Sequence, residues 1–419
     1  MKRLLLLMTT RTYRAAAFLD AASRLGVPVT VGSERPQILQ DRNPAGHLTL
    51  PFGDRDRALT EIRAFARTHP IGAVLAADDD GLLLAAVAAS ALGLPHNSPE
   101  SVARSRDKHA TRVTLRDAGL RTPRFVRLSL DDDPVARARE VPYPCVVKPL
   151  SLSASRGVIR ADDAAAFVAA FERVRGILAT TSTALATPET SRWILAEEYR
   201  DGEEVALEGI LGEEGLRTLA IYDKPDPLTG PFFEESIYVT PSRKQPAVLR
   251  AIEEQTRGAV TALGLTRGPV HAELRLDADG PWVLEIAART IGGLCARTLR
   301  FGGCAALEEI VLARALGLPV SSYAREPDAA AVMMIPIPRG GILRAAGGAA
   351  RARAVAGVED LMITVPVGEK VVPLPEGDRY LGFIFARART PERAEAALRE
   401  AHACLEFDID PVDTPGGGG

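Results

Sequence analysis

A chain of 419 residues is long enough for about three domains. Hydrophobic residues make up 46% and charged residues 25%, an ordinary globular balance, and the formal net charge of −3 indicates no bulk attraction to nucleic acid. No apolar run is long enough to cross a membrane, and four cysteines without a Cys-x-x-Cys spacing point to a reduced, cytoplasmic compartment.

The start, Met1-Lys2-Arg3 and then residues 4–8, superficially resembles a signal peptide. Its apolar run is short and Arg11 and Arg14 follow at once, so a buried first strand is expected. Residues 1–97 alternate strand patterns at 4–8, 27–31 and 73–77 with helical patterns at 14–25 and 82–92. Such alternation implies a parallel sheet with helices on its faces. Asp78-Asp79-Asp80 falls at a strand's carboxyl end, where open α/β sheets place ligands. Helix capping and dipole compensation account for at least one of these aspartates.

Ser98-Pro99 reads as a helix start, followed by a basic helical stretch with Arg104, Arg106, Lys108 and Arg112, ending near Gly119. Residues 141–149 form a short strand that carries Lys148. A half-buried lysine needs an anion to offset its desolvation. In the loop Ser151 to Gly157, the hydroxyls of Ser153 and Ser155 and free backbone N–H groups could close over phosphates, with Gly157 allowing close approach. The plainer alternative is an ordinary ion pair beside an ordinary loop. Residues 167–178 read as a helix, and 179–191 as a mobile excursion. Strands at 193–199 and 205–211 are expected to be joined by a turn at Asp201-Gly202. An exposed strand end there offers backbone groups to an adenine edge, and a carboxylate beyond the turn could bind ribose hydroxyls. An acidic surface hairpin is the alternative. Residues 222–240 are long, Pro-rich and irregular, a type of segment that often carries function. Residues 247–263 are helical.

The most informative segment follows. Residues 270–276 and 281–287 alternate apolar and polar side chains about a three-residue loop, Ala278-Asp279-Gly280. That register sets Glu273 opposite Glu285, with Cβ atoms roughly 5 Å apart. Two opposed carboxylates repel unless a cation lies between them, and an oxygen-only pair suits Mg²⁺ that also holds substrate phosphates. Two solvated glutamates on an open face is the alternative. Arg289, four residues past Glu285, can hold a phosphate or a carboxylate bidentately, and Gly292-Gly293 let backbone approach a ligand; a structural salt bridge is the alternative. Another helix is expected at 305–316. From about residue 327 the order strand, helix, strand, strand, helix, strand suits a split βαβ sandwich.

Neither a P-loop nor a G-x-G-x-x-G fingerprint is present. The serial order is a lysine, a second lysine with a small-residue loop, hinge carboxylates, then paired glutamates with an arginine. Over roughly residues 1–320 this order resembles the ATP-grasp superfamily. The resemblance implies an α/β and α+β protein of ATP-grasp architecture. An N-terminal parallel α/β domain would span 1–97. The ATP-grasp domain would span 98–325, with a small lobe at about 98–195 and a large lobe at about 196–325. A small C-terminal α+β domain would fill 326–415, before a disordered tail at 416–419. By the same resemblance Lys108 and Lys148 match the nucleotide lysines, and Glu197, Glu198 and Tyr199 the adenine hinge. Glu204 matches the ribose acid, and Glu273 and Glu285 the Mg²⁺ ligands. Glu285-Ile286-Ala287-Ala288-Arg289 is similar to the family's Glu-Ile-Asn-x-Arg. Ala287 replaces an asparagine that usually adds a metal ligand, so the number of Mg²⁺ ions stays open. His271 stands where some members carry arginine, which shifts phosphate stabilisation toward Arg289.

Within the superfamily the chain is most similar to the L-amino acid ligases that make dipeptides. His271-Ala272-Glu273, Arg289 with Gly292-Gly293, and Asp223-Lys224-Pro225 through Gly230-Pro231-Phe232-Phe233-Glu234-Glu235 carry that likeness. It implies an ATP-dependent carboxylate–amine ligase that forms an amide or peptide bond through an acyl phosphate and releases ADP and phosphate. Arg289, Lys224 and His271 would serve catalysis, and Arg289, Gly292 and Gly293 the substrate. ATP and Mg²⁺ are the expected cofactors. The expected partners are a small-molecule carboxylate and amine, not nucleic acid or membrane, and a homodimer is left open. Alternatives are a thiol or a larger natural-product amine as acceptor, or a nucleotide-binding module without catalysis.

Overall fold

The computed structural model describes residues 2–10, 12–36, 43, 45–150, 152–180 and 190–411. The expected tail, the centre of the expected excursion and Ser151 lie outside the described residues. The N-terminal leucine run forms the buried strand Arg3–Leu7, as a continuous apolar run covered on both faces should. It sits within a parallel sheet ordered His47–Thr49, Val29–Ser33, Arg3–Leu7, Ile71–Ala76. Helix Asp79–Ala91 starts where the last of these strands ends.

Ser98 caps the next helix by accepting from Ser101 N, with Pro99 in its first turn. The basic stretch is two helices, Pro99–Arg106 and Lys108–Asp117, not one. Asp107 is extended and caps the second through His109 N and Ala110 N. Lys108 therefore opens a helix.

A small antiparallel sheet follows, ordered Phe125–Ser129, Trp193–Glu198, Cys145–Pro149, Ile159–Ala161. Helix Ala164–Thr180 buries Phe167, Phe171 and Val174 against it. A larger antiparallel sheet runs Gly280–Ala287, Gly268–Asp277, Glu203–Gly212, Gly215–Lys224, Ile237–Thr240, Ala329–Ile335, Gly382–Ala388, Val358–Ile363. The expected hairpin at Asp201-Gly202 does not form. Trp193–Glu198 belongs to the small sheet and Glu203–Gly212 to the large one, and residues 199–202 cross between them. Each strand buries an apolar face under its own helix: Ile194 and Ala196 under Ala164–Thr180, Val205 and Leu207 with Ile252 and Val260 of Pro246–Leu263. Separate cores outweigh the local tendency to pair.

Gly215–Lys224 has no counterpart among the expected elements. It places Lys224 at a strand end instead of in an irregular segment. The glutamate hairpin also differs in detail. Its turn is two residues, with Asp277 paired to Gly280 at φ +112°, and a bulge at Leu284 restores the register, so Leu274 pairs with Val283 but Glu273 with Glu285. The expected opposition of the glutamates holds, by another route.

The C-terminal region does not close on itself as one split βαβ sheet. The all-apolar Ala329–Ile335 pairs with Ile237–Thr240, so the large sheet runs on through the expected boundary at 325. Gly341–Gly347, Lys370–Val371 and Glu406–Asp410 form a separate sheet. Among the described residues no helix is long and apolar enough to cross a membrane.

Candidate active site

A cavity of about 900 Å³ opens between the small sheet and the large one, and the N-terminal and C-terminal regions complete its walls. Lys108, Lys148, Ser153, Ser155, Glu197, Glu198, Tyr199, Glu204, His271, Glu273, Glu285, Arg289, Gly292 and Gly293 all line it. Residues read from five separated stretches of sequence thus meet in one chamber.

On the small-lobe side, Lys148 is buried on its strand and bonds to Glu197. Glu197 also accepts from Arg112 Nε at 2.7 Å, and Arg112 Nη2 donates to the Leu284 carbonyl at 2.8 Å. Burial alone would raise the Glu197 carboxyl. Arg112 and Lys148 override it and hold it at about 2. Burial brings the Lys148 ammonium down to about 8, with Glu197 opposing. The Glu197 side chain thus faces two buried cations, Arg112 and Lys148. Glu198 instead pairs with Arg124 and Arg200. Lys108 Nζ donates to the Leu152 carbonyl at 2.8 Å and stands 3.9 Å from Glu285. Beyond Leu152, Ala154 and Ser155 take positive φ, a curl in which successive N–H groups converge. Gly157 turns away from the cavity. Its N–H bonds the Pro375 carbonyl at 2.8 Å, while Arg156 Nε bonds the Glu376 carbonyl and Arg173 grips the Glu376 carboxylate at 2.6 and 3.0 Å. The C-terminal region therefore holds the loop down.

On the large-sheet side, Lys224 lies one layer behind the wall. Its ammonium meets Glu235 at 2.6 Å, Glu204 at 3.2 Å and Glu273 at 3.3 Å. Burial opposes its charge, but these carboxylates raise its pKa well above the usual lysine value. Glu204 also pairs with Arg275, so this expected ribose acid is already shared by two buried cations. His271 bonds Glu208 through Nδ1 at 2.6 Å and Glu273 through Nε2 at 3.2 Å. Against burial, these two carboxylates lift it to about 9, so it is an imidazolium at neutral pH. Lys224 and then His271 hold Glu273 well below the carboxylate range despite its burial.

Arg289 donates Nε to Asp79 at 2.7 Å and Nη1 to the Thr290 carbonyl at 3.0 Å. One of the three N-terminal aspartates therefore orients the arginine. Asp78 holds the helix N-cap position without a side-chain capping bond. Burial, then Asp79, raises Asp80 to about 6.

The donor set fits a metal shared with phosphates. Glu273 and Glu285 face one cavity from paired strands, with oxygen ligands only. Among the described residues no group of three or more His, Cys, Asp or Glu could hold a metal by itself. Ala287 sits where a third ligand would be sought.

Sequence reasoning gave no role to Glu208 or Arg275, and it noted Asp79, Arg112 and Glu235 only within longer segments, without the partners they take here. Most of these act through partners distant in the chain.

Two antiparallel lobes enclosing a lysine-lined cleft, preceded by a parallel α/β unit, form the ATP-grasp fold, and the chain carries an ATP-grasp domain. Its residues 19–96 match the ATP-grasp N-terminal domain, 141–298 an ATP-grasp domain, and 333–410 the L-amino acid ligase C-terminal domain 2. Among solved structures, the L-amino acid ligase from Bacillus licheniformis superposes with a TM-score of 0.82 at 28% identity, covering 98% of this chain and 100% of that one. An uncharacterized protein y4rH of Sinorhizobium fredii is 25% identical over 98% of this chain and 84% of its own length. The alanine–anticapsin ligase of Bacillus subtilis is 29% identical over 49% of this chain and 46% of its own length, so the chain spans about half of that relative.

Proposed function

We propose that this protein is an ATP-dependent, ADP-forming carboxylate–amine ligase that joins amino acids. The observation that carries this reading is the single chamber in which Lys148 and the curled Ser153–Ser155 loop face Glu273, Glu285 and Arg289. One end suits a nucleotide's phosphates and the other a carboxylate to be phosphorylated. The carboxylate oxygen attacks the γ-phosphorus of ATP, ADP leaves, and an acyl phosphate forms. The amine of the second substrate then attacks the acyl carbon and phosphate departs.

Lys148 and Lys108 bind phosphate oxygens and carry no proton between substrates. Arg289, aimed by Asp79, holds the carboxylate and the incoming phosphoryl oxygens as charge develops. Lys224 does not itself line the cavity and acts as a positioning residue, balancing Glu204, Glu235 and Glu273. In the metal-free protein His271 is charged and supplies positive potential beside Glu273. Mg²⁺, held by Glu273 and Glu285, would neutralise phosphate charge when bound. The loop docked on Pro375 and Glu376 excludes water that would hydrolyse the acyl phosphate.

The test is ADP release with amino acids offered singly and in pairs, with products weighed by mass spectrometry. A dipeptide formed in step with ADP is expected. ADP release without an amide product for every pair would refute the reading.

A further inference from the structure

Arg14 is the exception among the buried cations of this protein. Arg112, Lys148, Lys224 and Arg275, the other buried arginines and lysines among the described residues, each pair with a carboxylate. Arg14 is 4% exposed and forms no ion pair with any described residue. Neutral groups hold its guanidinium instead. Nη1 donates to the Ala77 carbonyl at 2.7 Å, Nη2 donates to the Thr290 hydroxyl, and the guanidinium carbon stands 5.5 Å from the centre of the Phe18 ring. Arg14 also occupies the N-cap of helix Ala15–Arg24, where the helix dipole favours an anion and opposes a cation. A buried charge left this way is costly until an opposite charge reaches it.

The charge belongs to the chamber, which Arg14 lines together with Asp78. Thr290 joins it to the arginine already assigned to the chemistry. The Thr290 hydroxyl meets Arg14, and the Thr290 carbonyl meets Arg289. Arg289 has Asp79 as its counter-charge, so the unbalanced positive charge in this corner is that of Arg14. A receiver for a cation stands next to it. Asp78 directly follows Ala77, and its Oδ2 is buried with no hydrogen-bond partner among the described residues. A carboxylate and an ammonium joined through one carbon, the zwitterion of an α-amino acid, complement these two side chains.

We propose that Arg14 binds the carboxylate of the acceptor amino acid, the substrate whose amine attacks the acyl phosphate. The inference rests on the ligase reading and deepens it. The donor's carboxylate is consumed on activation, beside the phosphates and Arg289. The acceptor's carboxylate keeps its charge from substrate to peptide. A guanidinium fork fixed by Ala77 and Thr290, with no carboxylate of its own, suits the charge that persists. The acceptor is therefore an amino acid and not a plain amine.

The experiment takes the amino acid pair that yields most product and compares its acceptor with the corresponding carboxamide. The carboxamide keeps the amine, lacks the negative charge and cannot itself be activated. Amide product is measured by mass spectrometry. Donor hydroxamate, formed from ATP, donor and hydroxylamine, measures folded enzyme that activates the donor. Wild type should prefer the free acid by about 10- to 100-fold in kcat/KM, the factor that one charged hydrogen-bonded contact represents. Arg14→Gln should raise KM for the acceptor and shrink that preference to about threefold or less. Thr290→Val, close in shape, keeps the guanidinium but releases one arm of its fork, and should shrink the preference in part. Wild type that takes the carboxamide as well as the acid overturns the inference while the ligase reading stands. So does an undiminished preference in Arg14→Gln or, where that variant makes no hydroxamate, in Thr290→Val. Wild type that makes neither hydroxamate nor ADP with any donor overturns the ligase reading and this inference with it.

Discussion

Glu197 decides between two accounts of the crossing between lobes. Were its carboxylate a direct nucleotide ligand, Glu197→Gln would weaken ATP binding and leave the fold untouched. The structure requires more. The side chains of Glu197, Lys148 and Arg112 are 4%, 8% and 1% exposed, so solvent does little to screen them. Neutralising Glu197 leaves two buried cations around one amide. Breaking a buried pair typically costs about 3–5 kcal/mol. At about 2–4 °C per kcal/mol, the apparent melting temperature should fall by roughly 6–20 °C. Function should change as well, with a definite sign. The wild-type Lys148 ammonium, already lowered to about 8 by burial, is kept that high by Glu197. Without the carboxylate it loses its proton at lower pH, so at pH 7.5 KM for ATP should rise by about tenfold and recover as pH falls. The assay is a thermal melt beside ATP kinetics at pH 6.5 and 7.5, with Glu198→Gln as control. Glu198 pairs with the largely exposed Arg124, and its neutralisation should cost less than about 1 kcal/mol. A Glu197→Gln protein that melts like wild type would refute the buried-triad argument.

Three further outcomes are expected. Arg289→Ala should lower kcat by roughly 10²–10³-fold with little effect on ATP affinity; unchanged kcat would leave the Asp79 ion pair as the residue's whole role. In metal-free protein, His271, raised from its ordinary 6.5 to about 9, contributes stability that is complete below pH 6.5 and lost as pH rises through 9. That contribution is on the order of 3 kcal/mol. Melting curves of wild type and His271→Asn should therefore converge above pH 9, and a gap constant from pH 6 to 10 would contradict the assignment. Arg173→Ala breaks the ion pair to Glu376, whose two side chains are about two-fifths exposed, so the melt should scarcely move. The loosened loop should raise ADP released per amide formed by roughly two- to fivefold, the factor that about 0.4–1 kcal/mol represents. Restoration by the swapped pair Arg173→Glu with Glu376→Arg is the check, and an unaltered ratio in Arg173→Ala would detach the C-terminal region from loop closure.

Local chemistry was legible in the sequence. Strand period marked the two paired arms that carry Glu273 and Glu285, though a bulge at Leu284 sets them opposite; an apolar run buried Lys148, and Ser98-Pro99 began a helix where they stand. These depend on neighbours within a few residues, which the alternation of side chains and the capping chemistry report directly. The crossing between lobes was not legible, because residues 193–211 read locally as a hairpin. Only the competing cores under helices Ala164–Thr180 and Pro246–Leu263 pull the two strands into different sheets. Nor could the sequence announce that Asp79 aims Arg289 or that Arg112 and Lys148 share Glu197. Nor could it announce that Glu376 bonds Arg156 of the 151–157 loop across 220 residues of chain. A buried charge takes whichever opposite charge the packed chain delivers to it, and that partner is settled by tertiary structure alone.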